Sequence, residues 1–125
     1  MQDGKHVILC CDDDADVLDS MRMILEANGY AMVSARSAEE GLKAYKASRP
    51  DLVIVDLMME EVDAGTAFVR ELKALGSQVP VYMLSSVGDD LHAEIDSGDL
   101  GLAGIFQKPV NSEALLKVLK TKLKK

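Results

Sequence analysis

The chain has 125 residues, 48% of them hydrophobic and 4% aromatic, and a formal net charge of −7 at pH 7. This length is typical of one domain with a buried core, which aliphatic residues and Met must fill because there is no Trp. No apolar run approaches the roughly 18 residues of a membrane helix, and the N-terminus carries no signal region. We therefore expect a cytoplasmic protein that does not interact with membranes.

The charge is unevenly distributed along the chain. From Lys108 onward there are six Lys and one Glu, so this segment carries +5 and the first 107 residues carry −12. A mostly acidic surface repels phosphate, which argues against direct nucleic-acid binding. The basic ending is more typical of charge that complements a helix C-terminus.

Strands and helices are predicted to alternate. In chain order we predict a strand at 6–11, a helix from 15 to a stop at Gly29, a strand at 30–35, a helix at 37–48, a strand at 51–56, a helix at 64–75, a strand at 79–86, a Gly-interrupted helical region at 89–104, a strand at 104–107 and a helix at 111–125. The strands are continuous apolar runs, which are typical of strands buried on both faces. Such alternation predicts right-handed βαβ units and a parallel sheet.

Local signals support several of these elements. Ser37 opens a capping box in "SAEE", and Asn111 is the predicted cap of the last helix. An apolar stripe of Phe68, Leu72 and Leu75 predicts the buried face of the third helix. The adjacent Cys10 and Cys11 match no zinc-binding spacing and are predicted to be buried, reduced thiols.

Polar residues stand where four of the five strands end. These are Asp12 and Asp13, Asp56, Ser85, and Lys108. Because parallel strands end at one edge of a sheet, these side chains are expected to converge. Clustered carboxylates favour a cation such as Mg²⁺, and Asp56 could act as a nucleophile that forms an acyl phosphate. Alternatively, the first aspartates only cap a helix and Asp56 only ends a strand.

In four motifs, "VILCCDDDADV", "PDLVIVDLMM", "VPVYMLSS" and "GIFQKPV", the chain resembles the receiver domain of two-component response regulators. The resemblance covers nearly all of residues 1–125. It implies a doubly wound, flavodoxin-like α/β fold, with a five-stranded parallel sheet of order 2-1-3-4-5 flanked by five helices. It also implies phosphorylation by a sensor histidine kinase that depends on Mg²⁺.

The resemblance also implies a role for each matching residue. Asp56 takes the place of the phosphoacceptor, and Asp12, Asp13 and the backbone carbonyl of Met58 would join it in binding Mg²⁺. Asp14 falls outside the metal pair and is expected to cap the first helix.

Two further positions match the family, and two depart from its pattern. Ser85 takes the place of the hydroxyl that bonds a phosphoryl oxygen, and Lys108 that of the family's Lys before Pro. Glu60 stands where the family usually has Pro, and Ile105 stands where it usually has the aromatic switch residue. Phe106 is adjacent to Ile105, but in a strand it would point to the opposite face.

The lifetime of the phosphorylated state can also be predicted. In the family, polar side chains two residues after the acceptor and two after the switch hydroxyl help to place the hydrolytic water. Both positions are apolar here, namely Met58 and Val87. We therefore expect slow self-dephosphorylation.

Two other functions are compatible with the sequence. One is a pseudo-receiver that binds partners without being phosphorylated, and the other is a phosphohydrolase similar to haloacid dehalogenases, for which Asp12 and Asp14 would form the D-x-D motif. The receiver interpretation predicts no turnover of a substrate. It also predicts a single-domain regulator or a fragment of a longer protein, with a downstream protein partner or output domain and a possible phosphorylation-dependent homodimer.

Overall fold

The computed structural model describes residues 5–56, 64–76, 79–86, 104–108 and 111–123. Of residues 64–67, 85, 86, 105, 107 and 108 only the backbone is described. The strands within these ranges are β1 (Val7–Cys11), β2 (Ala31–Ala35), β3 (Leu52–Asp56), β4 (Val81–Ser86) and β5 (Gly104–Lys108). The helices are α1 (Ala15–Ala27), α2 (Ala38–Ser48), α3 (Ala64–Ala74) and α4 (Ser112–Lys122).

The five described strands form one parallel sheet in the order β2-β1-β3-β4-β5. This is the order that the family resemblance implies, and the doubly wound α/β architecture is confirmed. The predicted helical region at 89–104 falls almost entirely outside the described residues. Within the described ranges, no helix is long and apolar enough to cross a membrane.

β1 is buried at every position, which explains its continuous apolar sequence. Ile8 and Cys10 belong to the core on one face of the sheet, against α1 and α4, whereas Leu9 and Cys11 belong to the core on the other face, against α2 and α3. Successive side chains of a strand point to opposite faces, so a strand between two helical layers needs an unbroken apolar run. The predicted burial of both thiols is confirmed, and both are free.

The helix ends follow the predicted local signals. The side chains of Asp14, Ser37 and Asn111 accept hydrogen bonds from backbone N–H groups in the first turns of α1, α2 and α4. These bonds satisfy donors that have no partner within the helix. Gly29 and Gly76 follow α1 and α3 with φ of 84° and 81°, a conformation that glycine adopts without a steric penalty.

One predicted core position is wrong. Phe68 and Leu72 of α3 are buried, but Leu75 is 53% exposed. The helix ends at Ala74, so Leu75 lies in the following turn, at the edge of the packed face, while its N–H still donates to the carbonyl of Glu71 at 3.1 Å. β4 also begins at Val81 rather than at Val79, because Pro80 has no N–H for the sheet ladder.

Gly41 lies on the buried face of α2 where no side chain fits. A Cβ at this position would be 2.9 Å from the Cys11 sulfur and 3.3 Å from Cζ of Phe68. Gly41→Val is expected to lower the free energy of unfolding by roughly 2 kcal/mol or more, because it forces two buried side chains apart. Urea denaturation measures this change.

Ala47→Val is the matched control for Gly41→Val. Ala47 lies on the exposed face of the same helix, so this variant introduces Val into α2 without the overlap, at only the small cost of the lower helix propensity of Val relative to Ala. Equal losses of stability in the two variants would contradict the close packing around Gly41.

The two buried thiols predict a loss of stability at alkaline pH. Burial, with smaller contributions from the Asp12 and Glu40 carboxylates, raises the pKa of Cys11 from 9.0 to about 12. Burial also raises the pKa of Cys10 strongly. Above pH 9 the unfolded chain releases these protons while the folded chain keeps them. The free energy of unfolding should therefore fall by about 1.4 kcal/mol per pH unit for each thiol until the folded pKa is reached.

Urea denaturation between pH 8 and 10.5 measures this slope, and Cys11→Ala is the comparison. The variant should be less stable at pH 8 because a buried group is lost. Its stability should then decline with pH less steeply than that of the native chain, by the contribution of one thiol. Parallel declines would show that Cys11 does not cause the alkaline loss.

Candidate functional site

Asp12 lies directly after β1 and is fully buried. Its N–H donates to the carbonyl of Ala35 at 3.0 Å, which continues the pairing of β1 with β2 by one more bond. Its Oδ1 accepts a hydrogen bond from the N–H of Asp14 at 2.9 Å. The backbone on both sides therefore fixes this carboxylate at the carboxyl end of the sheet.

Asp56 is the last residue of β3, and it is only 4% exposed. Its backbone is paired with Leu84 of β4, so it stands in the middle of the sheet. The neighbouring strand β1 brings Asp12 and Asp13 to the same edge. Carboxylate oxygens of Asp12, Asp13 and Asp56 all lie within 4.8 Å of one another, and Asp13 is exposed while the other two are buried. The predicted convergence of these three residues is confirmed.

The chemistry of this carboxylate cluster fits a hard cation. Three negative charges at such separations repel one another, and repulsion is strongest where burial lowers the effective dielectric constant. Mg²⁺ prefers oxygen ligands and binds in sites that offer one or two carboxylates and leave room for water. The exposed Asp13 leaves the cluster open to solvent on one side. Asp12, Asp13 and Asp56 therefore form a suitable donor set for Mg²⁺.

The other predicted site residues are described only in part. The backbones of Ser86 and Lys108 are paired at the carboxyl ends of β4 and β5, and Ser85 is paired with Gln107. The backbones of Ser85 and Lys108 therefore reach the same edge of the sheet as Asp56. Their side chains, and all of Met58, lie outside the described residues.

Comparison with known proteins establishes the family. A family model described as the response regulator receiver domain matches residues 8–120. The chain belongs to this family. Receiver domains are the signalling modules of response regulators in two-component systems. Membership of this family therefore indicates a signalling role for the chain.

Curated relatives of this receiver are longer than the chain. The response regulator MprA of Mycolicibacterium vanbaalenii is 32% identical over 118 residues, which are 94% of this chain and 50% of the relative. MprA of Mycobacterium leprae is 31% identical over 118 residues, with 94% of this chain and 51% of the relative covered. The receiver therefore spans about half the length of these relatives.

Solved structures of similar proteins share the fold over most of the chain. A CheY-like receiver domain protein from Methanospirillum hungatei superposes with a TM-score of 0.85 at 30% identity and covers 96% of this chain and 94% of that one. The chemotaxis response regulator CheY4 of Vibrio cholerae gives a TM-score of 0.81 at 26% identity, with 94% and 98% covered.

Asp14 has a different role from its two neighbours. Its Oδ1 accepts a hydrogen bond from the N–H of Asp16 at 2.9 Å, and it is the N-cap of α1. It is not among the three carboxylates that cluster. The prediction that Asp14 caps the helix is confirmed. Of the two adjacent aspartates, Asp13 therefore belongs to the carboxylate cluster and Asp14 to the start of α1.

Arg36 also contacts the acidic loop, although no motif in the sequence marks it. This residue follows β2 directly, and its Nη2 donates to the backbone carbonyl of Asp13 at 3.2 Å. The bond ties the acidic loop after β1 to the neighbouring strand. The one signal in the sequence is a basic residue directly after the end of β2, beside the strand that leads into the acidic loop.

Phe106 packs on the face of the sheet that carries α1 and α4. Its ring stacks on that of Tyr82, with centroids 5.2 Å apart and an angle of 28° between the planes, and it contacts the core cluster on that face. This residue therefore contributes to the core beneath the last helix. Of the neighbouring Ile105, which stands in the aromatic switch position, only the backbone is described.

Proposed function

We propose that this receiver accepts a phosphoryl group on Asp56 in a reaction that requires Mg²⁺. The observation that carries the proposal is the cluster of Asp12, Asp13 and Asp56, with the acceptor candidate nearly buried at the end of the central strand β3. Bringing three carboxylates together costs stability through their repulsion, and a bound cation would offset this cost.

In the proposed reaction, a carboxylate oxygen of Asp56 attacks the phosphorus of a phosphohistidine on a sensor kinase. The phosphorus–oxygen bond forms while the phosphorus–nitrogen bond breaks, and the bonding electron pair returns to the imidazole. The rigid strand end holds the attacking oxygen in place, which lowers the entropic cost of reaching the transition state. Bound Mg²⁺ would supply positive charge next to the phosphoryl oxygens.

Ser85 and Lys108 complete the proposed site. A hydroxyl on β4 would donate a hydrogen bond to a phosphoryl oxygen, and an ammonium group on β5 would offset its charge. The support is the register of the two strands, which ends both at the same edge as Asp56. Met58, with its backbone carbonyl as a metal ligand, rests on the family pattern alone.

Phosphorylation would bias a two-state protein surface, through which the receiver acts on a partner. The proposed partners are a sensor histidine kinase and a downstream protein or output domain, with a phosphorylation-dependent homodimer as one output. The curated relatives extend well beyond the matched region, so an attached output domain is compatible with the comparison.

The test is incubation with acetyl phosphate, with and without Mg²⁺, followed by intact-mass measurement. The proposal expects stoichiometric addition of one phosphoryl group only when Mg²⁺ is present. No adduct would favour the pseudo-receiver. Continuous hydrolysis of a phosphate ester such as p-nitrophenyl phosphate, abolished in Asp12→Asn, would favour the hydrolase instead.

The phosphorylated state is expected to be long-lived. The side chains of Met58 and Val87 carry no N–H, O–H or oxygen atom to orient a hydrolytic water. After removal of the phosphodonor, intact-mass measurements over time should show that the adduct is lost over minutes or longer. Met58→Asn should shorten this lifetime. A lifetime of seconds in the native chain would contradict this prediction.

A further inference from the structure

A cleft of about 490 Å³ opens at the end of the sheet opposite the aspartate cluster. It lies between the C-terminal ends of α2 and α3 and the residues that lead into β4. Its described lining consists of Tyr45, Lys46, Arg49, Pro50, Leu75 and Val79. The cleft therefore combines apolar side chains, including the unexpectedly exposed Leu75, with two cations.

The charge of this cleft is the reverse of that of the chain. No carboxylate is among its described lining residues, although the chain carries −7. The carboxylate of Asp51, which follows Pro50, accepts a hydrogen bond from the N–H of Val7 at 2.8 Å and so is engaged in the sheet. The cleft thus presents a local positive charge on an acidic protein.

Neither cation of the cleft is neutralised within the described part of the chain. The salt bridges there are Arg22–Glu26 and Lys43–Glu39, which leave Lys46 and Arg49 exposed and without an ion pair. Arg49 also has a φ of 48°, which is uncommon for a residue other than glycine. Its N–H donates to the carbonyl of Tyr45, so the turn that ends α2 holds this residue at the cleft.

Two features favour a peptide over a small anion. Small-molecule sites enclose most of the ligand and place buried polar groups around it, whereas both cations here are exposed on flexible side chains. Exposed charge pairs contribute little affinity individually but favour association with a complementary partner. An apolar side chain seated between Tyr45 and Leu75 would supply the affinity that the charges do not.

We propose that this cleft docks an acidic segment of a partner protein that carries one large apolar side chain between carboxylates. The aspartate cluster is roughly 20 Å away along β3, which exceeds the Debye length of about 8 Å at physiological ionic strength. Its negative charge therefore does not cancel the attraction. Docking would be independent of phosphorylation, and so the proposal goes beyond the proposed function.

The test uses the 125-residue chain labelled with ¹⁵N and an acetylated five-residue peptide with Leu between two pairs of Asp. The amide signals of Tyr45, Lys46, Arg49, Leu75 and Val79 are expected to shift saturably. A peptide with Lys in place of Asp, and one with Ala in place of Leu, should each bind more weakly. Asp56→Asn should bind the acidic peptide with unchanged affinity, so failure of phosphorylation and failure of docking are distinguishable.

Charge removal provides the matched variants. The double variant Lys46→Gln, Arg49→Asn should weaken binding roughly five-fold, as expected for the loss of two exposed charge pairs. Asn is chosen at position 49 because it tolerates a positive φ. Lys43→Gln removes one charge from the same helix outside the cleft and should leave affinity within two-fold, which supports the assignment to Lys46 and Arg49.

Several results would overturn the proposal. One is the absence of saturable shifts at millimolar peptide, and another is unchanged affinity in the double variant. Equal shifts with inorganic phosphate alone would identify a small-anion site instead. Shifts of the same signals on raising the concentration of the chain alone would identify a second copy as the occupant.

Discussion

Asp56→Asn is expected to abolish labelling by acetyl phosphate completely. The substitution keeps the size and shape of a side chain that is only 4% exposed, but the amide oxygen is a far weaker nucleophile than a carboxylate. Intact-mass measurement after incubation with acetyl phosphate and Mg²⁺ should show one added phosphoryl group on the native chain and none on the variant.

The control for this experiment is Asp19→Asn. Asp19 is exposed on α1 and outside the carboxylate cluster, so its loss should leave labelling unchanged. Folding of both variants is verified by urea denaturation. A phosphoryl adduct on Asp56→Asn in the same yield would show that another residue is the acceptor. Loss of labelling in both variants would show that the effect is not specific to the site.

Asp13→Ala and Asp14→Ala are expected to change different properties, namely Mg²⁺ affinity and folding stability. Asp13 contributes to the cluster, so its removal should weaken Mg²⁺ binding roughly ten-fold or more. When a chelator removes Mg²⁺, the free energy of unfolding of Asp13→Ala should equal or exceed that of the native chain, because one repelling charge is gone. Asp14→Ala should cost about 1 kcal/mol of stability through loss of the α1 cap and leave Mg²⁺ affinity nearly unchanged.

Isothermal titration with Mg²⁺ and urea denaturation in chelator separate the two effects. The two residues are adjacent, exposed and identical in type, so each variant is the control for the other. Equal losses of Mg²⁺ affinity would mean that general negative charge near α1 attracts the ion. Equal losses of stability would mean that Asp14 has no particular role as a cap.

The strand ends could be predicted because their physics is local and repetitive. Buried parallel strands need unbroken apolar runs, so the point where the run gives way to aspartate marks the edge of the sheet. Asp12 and Asp56 stand at such points, and the helix caps Ser37 and Asn111 depend on equally short-range hydrogen bonds. The family resemblance then supplied the strand order, which periodicity does not contain.

The exposure of Leu75 and the contact of Arg36 could not be predicted in the same way. Leu75 fits the apolar stripe of α3, yet it lies beyond the last helical residue and lines the cleft. Arg36 looks like an ordinary residue after a strand, and only the distance to the Asp13 carbonyl reveals its role. The first depends on where α3 stops, and the second on a contact between segments 23 residues apart in the chain.

The sequence by itself determined the alternation of strands and helices and their caps, because these depend on side-chain period and on neighbours within one turn. It also identified the three carboxylates that cluster, because parallel strands end at one edge of a sheet. The tertiary structure alone decided that those carboxylates approach within 4.8 Å. It also decided that Asp13 stays exposed and that a cationic cleft opens at the far end of the sheet. Distances and exposure arise from how separate elements pack together, which no local pattern encodes.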